Sequence, residues 1–209
     1  MTTLLQILNN KIVAIIRGAA PNDVAEIAAA LYEGGIKCLE ITLNSQDALQ
    51  VIESITLKME GLILVGAGTV LNAAAARDAI AAGAKFIISP ITDEATIHIT
   101  KQLGAVSIPG AFTPTEIFKA YSGGGDIIKV FPGSSGPNFI KEILAPLPYI
   151  PLMPTGGVNL ANLHEFKRAG AVAFGIGKAL VDTSQKINEN YLQKIIAHAR
   201  EFMVAANTT

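Results

Sequence analysis

The sequence has one cysteine, no tryptophan and few charges. A single thiol, Cys38, cannot close an intrachain disulfide, so a reducing cytoplasm is the expected compartment. The role expected for Cys38 is that of a small buried apolar side chain on a strand. Charged residues make up only 16% of the 209, and 16 Lys and Arg against 17 Asp and Glu leave a net −1. That balance gives no electrostatic basis for binding nucleic acid or an acidic membrane surface. Tyr32, Tyr121, Tyr149 and Tyr191 do not interleave with a basic patch, which also argues against nucleic acid. No apolar run reaches the ~20 residues that cross a bilayer, because Gly, Pro, Lys or Asp interrupts each one. The opening MTTLLQILNNKIVAIIRG lacks the basic start and long apolar core of a secretory leader, and none is expected. Nucleotide-binding glycine loops are missing from suitable positions, with GAGTVLNAAAA offering only a fragment of one. His98, His164 and His198 fall in helical patterns without metal-ligand spacing, and SSGP has no positioned histidine base.

What is present is a repeating rhythm. LYEGGIKCLEIT, AIAAGAKFIISP, TKQLGAVSIPG, AYSGGGDIIKVF and FKRAGAVAFGIG each join a helical pattern to a short apolar run through glycine. Glycine caps helices because it reaches the left-handed region without a Cβ penalty. Short runs that are apolar on both faces suit buried parallel strands. Eight such runs are expected as strands, near Val13–Ile16, Cys38–Thr42, Leu62–Gly66, Phe86–Ser89, Val106–Pro109, Ile127–Phe131, Leu152–Pro154 and Ala173–Ile176. Helices are expected between them, including Pro21–Glu33 opened by Pro21, Asn72–Ala82 capped by Asn72, and Ala161–Ala169. Eight βα units without an inserted domain predict an α/β protein, a single-domain (β/α)8 TIM barrel over residues 1–209. Its last residues, MVAANTT at 203–209, are expected to fray. The rival is an open doubly wound sheet, which needs fewer strands and a nucleotide loop after the first.

In such barrels chemistry collects at the C-terminal ends of the strands. Residues there include Arg17, Glu40, Thr42, Thr69, Ser89, Lys129, Thr155, Gly156, Gly157, Gly177 and Lys178. Lys129 stands inside an apolar run, DIIKVFP, where a lysine is rarely left unpaired. It reads either as an amine nucleophile made neutral by desolvation or as a strand-end lysine paired with a carboxylate. Glu40, between Leu39 and Ile41, reads either as a general acid/base or as half of an ion pair inside the barrel. Arg17 has the planar fork to clamp a carboxylate, or to pair with Glu40. PTGGV and GIGKAL end the seventh and eighth strands, where exposed backbone amides commonly hold phosphate, and Lys178 would add charge.

IVAIIRG, LEITLNS, GAGTV, ISP, IPGAFTPTE, IIKVFP, PTGGV and GIGKAL occur in this order across almost the whole chain. Together they closely resemble the bacterial 2-keto-3-deoxy-6-phosphogluconate (KDPG) and 4-hydroxy-2-oxoglutarate (KHG) aldolase family. The resemblance implies a class I aldolase on a (β/α)8 barrel, a homotrimer working without metal or cofactor. It implies Lys129 as the Schiff-base lysine, Glu40 as the general acid/base and Thr69 as a holder of the pyruvate moiety. Gly156 and Gly157 match the phosphate loop, with Pro109 and Thr155 lining the site. Phosphogluconate-specific members usually carry arginine where this chain has Asn44, and often serine where it has Lys178. IRG and LNS look more like the 6-phosphogalactonate and mixed-specificity branch, with Arg17 taking over the substrate carboxylate.

The expected reaction cleaves a 2-keto-3-deoxy-6-phospho sugar acid to pyruvate and glyceraldehyde 3-phosphate. 4-Hydroxy-2-oxoglutarate is a further candidate substrate, and the sequence leaves open the stereochemistry at the hydroxyl-bearing carbon. The other readings are a phosphosugar isomerase or epimerase on the same barrel, and a non-catalytic phosphosugar-binding module. Binding alone requires neither a neutral amine nor a buried base.

Overall fold

The computed structural model describes residues 1–208. The chain alternates helix and strand throughout. Its first half comprises α1 (Thr3–Asn10), β1 (Ile12–Ile16), α2 (Val24–Glu33), β2 (Cys38–Thr42), α3 (Ala48–Lys58), β3 (Leu64–Gly68), α4 (Ala73–Ala81), β4 (Phe86–Ile88) and α5 (Glu94–Gln102). There follow β5 (Val106–Ile108), β6 (Gly110–Ala111), α6 (Pro114–Ser122), β7 (Ile128–Val130), α7 (Pro137–Leu144), β8 (Leu152–Pro154), α8 (Leu163–Arg168), β9 (Phe174–Ile176) and α9 (Glu189–Asn207). Every strand pairing is parallel. One sheet runs β5-β4-β3-β2-β1-β9 and the other β6-β7-β8. The architecture is α/β, with a curled parallel sheet carrying helices on its outside.

Alternation along the strands divides the buried residues into two layers. Ile12, Ala14, Ile16, Leu39, Ile41, Ile128 and Val130 join the core shared with the helices. Val13, Cys38, Phe86, Ile127, Met153 and Ala173 turn the other way, into the concave side of the sheet, with Ile7 of α1 packed among them. Helix starts are fixed by local chemistry. Asn72 accepts from the Ala75 amide, and Thr113 with Glu116 closes a capping box behind Pro114.

Several expected boundaries move, each for a local reason. β3 starts at Leu64 because the amides of Leu62 and Ile63 both turn back to the Met59 carbonyl. Pro21 lies in a turn closed by Asp23 N–H to the Ala20 carbonyl, and α2 begins only at Val24. α8 starts at Leu163, since the side chains of Asn159 and Asn162 accept the amides of Ala161 and Asn159 and hold a turn. The frayed end expected from Met203 is corrected through Asn207, because α9 continues that far and seats Phe202 and Ala206 in the core. Lys11 Nζ also donates to the Ala206 carbonyl at 3.3 Å. Thr209 lies outside the described residues. Among those residues, no helix is long and apolar enough to cross a membrane.

Candidate active site

The concave face rises in steps of two residues along each strand. Above Val13, Cys38, Ile127 and Met153 come Ile15, Glu40, Lys129 and Thr155, and above those stand Arg17, Thr42, Phe131 and Gly157. The register places Ile15 beside Glu40, Glu40 beside Gly66, and Lys129 between Gly110 and Met153. A cavity of about 620 Å³ opens over this second step. Among the sequence candidates, Arg17, Lys129, Thr155, Gly156, Gly157, Gly177 and Lys178 line it, and Glu40 is buried outside the lining.

Lys129 is 3% exposed and Glu40 is fully buried. Burial holds the Lys129 amine below its ordinary value, opposed by the pull of Glu40 and reinforced by the positive charge of Arg17. Burial likewise raises the Glu40 carboxyl, against the pull of Lys129 and Arg17. Desolvation outweighs mutual attraction in both directions, so the pair is biased toward its uncharged forms. Among the described residues neither side chain forms an ion pair, and both Glu40 oxygens are buried without a hydrogen-bond partner. The ion-pair reading of Lys129 and Glu40 is thereby not met. Orphaned carboxylate oxygens at this depth are costly, and a substrate hydroxyl or a water in the cavity would satisfy them. Room for Glu40 comes from Gly68, where an added Cβ would lie 1.7 Å from Glu40 Oε1. Lys129 Nζ sits 5.1 Å from the ring centre of Phe131. That contact was missed in the sequence, although Phe131 stands two residues on from Lys129 and therefore on the same strand face.

Arg17 is exposed at the rim. It does not pair with Glu40. Its Nη1 donates to Asn44 Oδ1 at 3.1 Å and its Nη2 to Thr69 Oγ1 at 3.2 Å. Thr69 is thus joined to the site through Arg17 and is not among the residues lining the cavity. Pro109 is buried outside the lining, where its carbonyl accepts the Lys129 backbone N–H at 2.9 Å. Gly156 and Gly157 take φ of 85° and 83°, a region that suits glycine. The helix that follows them starts only at Leu163, so any anion would meet loop amides rather than a helix end. Lys178 has an 80% exposed side chain and lies 3.8 Å from Asp182, a second lining residue that the sequence reading missed. His98, His164 and His198 fall in α5, α8 and α9, as their pattern predicts.

A larger concavity, about 720 Å³, lies at the opposite ends of the strands and includes Lys37, Cys38 and Lys85. It holds none of the candidate site residues. Size does not select the site here; the buried amine and carboxylate do.

A buried amine shifted down and a buried carboxyl shifted up, at the C-terminal edge of a parallel sheet, fit an enzyme that works on carbon–carbon bonds through a lysine. Comparison with known proteins agrees. Residues 5–198 match the family model described as KDPG and KHG aldolase, and the chain belongs to that family. A Rhizobium meliloti protein named probable 2-dehydro-3-deoxy-6-phosphogalactonate aldolase is 35% identical over 175 residues, covering 83% of this chain and 82% of that one. The native KDPGal structure superimposes with a TM-score of 0.87 at 31% identity, covering 93% of both chains. The KDPG aldolase of Legionella pneumophila, solved with pyruvate captured as a covalent carbinolamine, gives a TM-score of 0.81 at 25% identity over 100% of this chain and 99% of that one. The chain is an aldolase, and the isomerase and silent-binder readings find no support.

Proposed function

We propose that this chain is a Schiff-base aldolase that splits a 2-keto-3-deoxy-6-phospho sugar acid into pyruvate and glyceraldehyde 3-phosphate. The carrying observation is a buried pair, the Lys129 amine that lines the cavity and is shifted toward its neutral form, and the fully buried Glu40 carboxyl with no hydrogen-bond partner for either oxygen. Neutral Lys129 adds to the substrate ketone, and loss of water from the carbinolamine gives an iminium. The oxygen lost as water carries off the Glu40 proton, and the resulting Glu40 carboxylate, directly or through one water, takes the proton of the hydroxyl beta to the iminium carbon. The carbon–carbon bond breaks, its electron pair flows into the iminium to form an enamine, and the aldehyde departs. Protonation of the enamine and hydrolysis then release pyruvate and the free amine. Burial raises the Glu40 carboxyl, the direction that suits a group which must both give and take a proton.

Arg17 receives the carboxylate beside the ketone, helped by Thr69, while Thr155 lines the wall and Pro109 anchors the strand edge beside Lys129. The loop of Gly156 and Gly157, with Lys178, receives the phosphate once Lys178 leaves Asp182. The sheet is read as a closed (β/α)8 barrel in one domain. Only Pro109 separates β5 from β6, and a Thr155–Gly175 bridge links β8 to β9. The working unit is read as a homotrimer in the cytoplasm. Ile91, Phe112 and Phe131 line a neighbouring concavity and are exposed apolar side chains suited to burial against another copy. No metal or cofactor enters this mechanism.

Pyruvate release, coupled to lactate dehydrogenase, tests the reading on the gluconate-type acid, the galactonate-type acid and 4-hydroxy-2-oxoglutarate side by side. Cleavage of either phosphorylated acid well above 4-hydroxy-2-oxoglutarate supports it; folded protein that releases pyruvate from none of the three overturns it.

A further inference from the structure

We propose that Asn44 is a positioning residue for Arg17, holding the guanidinium at the cavity rim as a receptor for the substrate carboxylate. The proposal rests on the aldolase reading above. Arg17 is exposed, and a free arginine at a rim spreads over many rotamers. Here its two terminal nitrogens are each tied down, one by the Asn44 amide oxygen at 3.1 Å and one by the Thr69 hydroxyl at 3.2 Å. A guanidinium has five N–H donors, so two such bonds fix its plane and leave the rest for an anion.

The chemistry of the two anchors is as informative as their placement. Both are neutral acceptors. A carboxylate in either position would hold the arginine as firmly, but would neutralise the charge that a substrate carboxylate needs. Glu40, the nearest buried carboxylate along the same strand, makes no ion pair with Arg17.

Each anchor is itself held. Asn44 follows β2 in a turn closed by Ser45 N–H to the Thr42 carbonyl and by a 2.9 Å contact between the hydroxyls of Thr42 and Ser45. Ser45 Oγ also accepts the Gly18 amide at 2.9 Å, tying this turn to the loop that carries Arg17. Thr69 has φ 56°, a conformation that β-branched residues adopt only at a cost, and strain of this kind persists where surrounding structure enforces it. The Arg17 carbonyl accepts the Thr183 hydroxyl at 2.7 Å, which fixes the root of the side chain. Three other loops therefore hold Arg17, those of Asn44 and Thr69 at the guanidinium and that of Thr183 at the backbone.

The test measures KM and kcat for pyruvate release by the unsubstituted chain, N44A, N44D, R17A and the double variant R17A/N44A, with thermal unfolding as the check on folding. N44A raises KM about tenfold and moves kcat by no more than about twofold, the size expected for losing one hydrogen bond to a charged group. In the R17A background, N44A adds no more than about twofold, because Asn44 acts through Arg17. N44D keeps shape and hydrogen bond but cancels the charge, so it fails to restore KM. A structural role for Asn44 in its turn predicts the reverse, since aspartate is close to isosteric and serves such turns well. Restoration of KM by N44D, or a full tenfold effect of N44A without Arg17, overturns the proposal. A folded unsubstituted chain that releases no pyruvate overturns the aldolase reading and this inference with it. Normal turnover with an unmoved KM in N44A overturns this inference alone.

Discussion

Cys38 and Lys129 both point into the concave side of the curled sheet, and each is almost free of solvent. Around Cys38 the layer is wholly apolar, built from Val13, Phe86, Ile127 and Met153 with Ile7 beneath. One step higher the same strands supply Glu40 and Lys129. Burial acts on both layers, with opposite chemical results. It pushes the Cys38 thiol up to about 12, so the reactive thiolate is almost absent at neutral pH. It pushes the Lys129 amine down, toward the neutral form that attacks carbonyls. Desolvation silences a nucleophile whose reactive form is charged and activates one whose reactive form is neutral. The lower layer packs; the upper layer carries the proposed chemistry.

The sharpest way to break this contrast is to make the upper layer resemble the lower. K129M should lower the rate of pyruvate release on the order of 10⁴-fold or more, as loss of a nucleophile does. Its unfolding midpoint should hold or rise, because well-packed apolar replacements of buried ionisable groups are often neutral or stabilising. Below 10.5 the unfolded chain keeps the Lys129 proton that the folded chain tends to release. Wild-type stability relative to K129M should therefore rise with pH through the window between the lowered folded value and 10.5, and fall as pH drops through it. Urea unfolding of the two proteins across that range reads the difference.

E40Q comes next. It should cut kcat by about 10²–10⁴-fold while leaving covalent capture of pyruvate intact, since proton transfer is lost and the amine remains. Glu40 is raised above 4.5 in the folded chain, so its ionisation opposes folding as pH rises from there. E40Q should accordingly gain on wild type in unfolding experiments as pH increases above 4.5.

A smaller effect is expected from G68A, whose new Cβ would stand 1.7 Å from Glu40 Oε1. Overpacking should lower unfolding free energy by about 1–3 kcal/mol, with kcat falling several-fold more than KM changes as Glu40 is displaced. The smallest effect belongs to the lower layer. C38A should cost about 1 kcal/mol in unfolding free energy and leave kcat/KM within about twofold of wild type. Alkylation of Cys38 should require unfolding, and rapid labelling of the native protein would contradict the silent-thiol side of the comparison.

Eight of the nine strands were readable from sequence because buried parallel strands need apolar residues on both faces, and glycines mark where preceding helices stop; β6, only Gly110–Ala111, is too short and small to show that pattern. Helix starts were less so. At α8 the side chains of Asn159 and Asn162 compete for backbone amides, and at Pro21 a turn precedes the helix, so the apolar pattern alone places both starts too early. The C-terminal end misled for another reason. Small residues such as Ala206 carry little signal by themselves, and only packing shows that Ala206 is buried. In the site, Lys129 and Glu40 were visible because a charge inside an apolar run has few explanations. The rim was not. Arg17 meets Asn44 and Thr69 across 27 and 52 residues of sequence, and nothing in the local pattern of any of them announces the contact.

Central to the proposed function is that Lys129 acts as a neutral nucleophile made so by burial. Borohydride reduction of the folded protein in the presence of pyruvate, followed by peptide mass spectrometry, tests that claim most directly. A reduced pyruvyl adduct on Lys129 and on no other lysine is the predicted result. Folded protein that yields no adduct, or an adduct carried by another lysine such as Lys178, would contradict it.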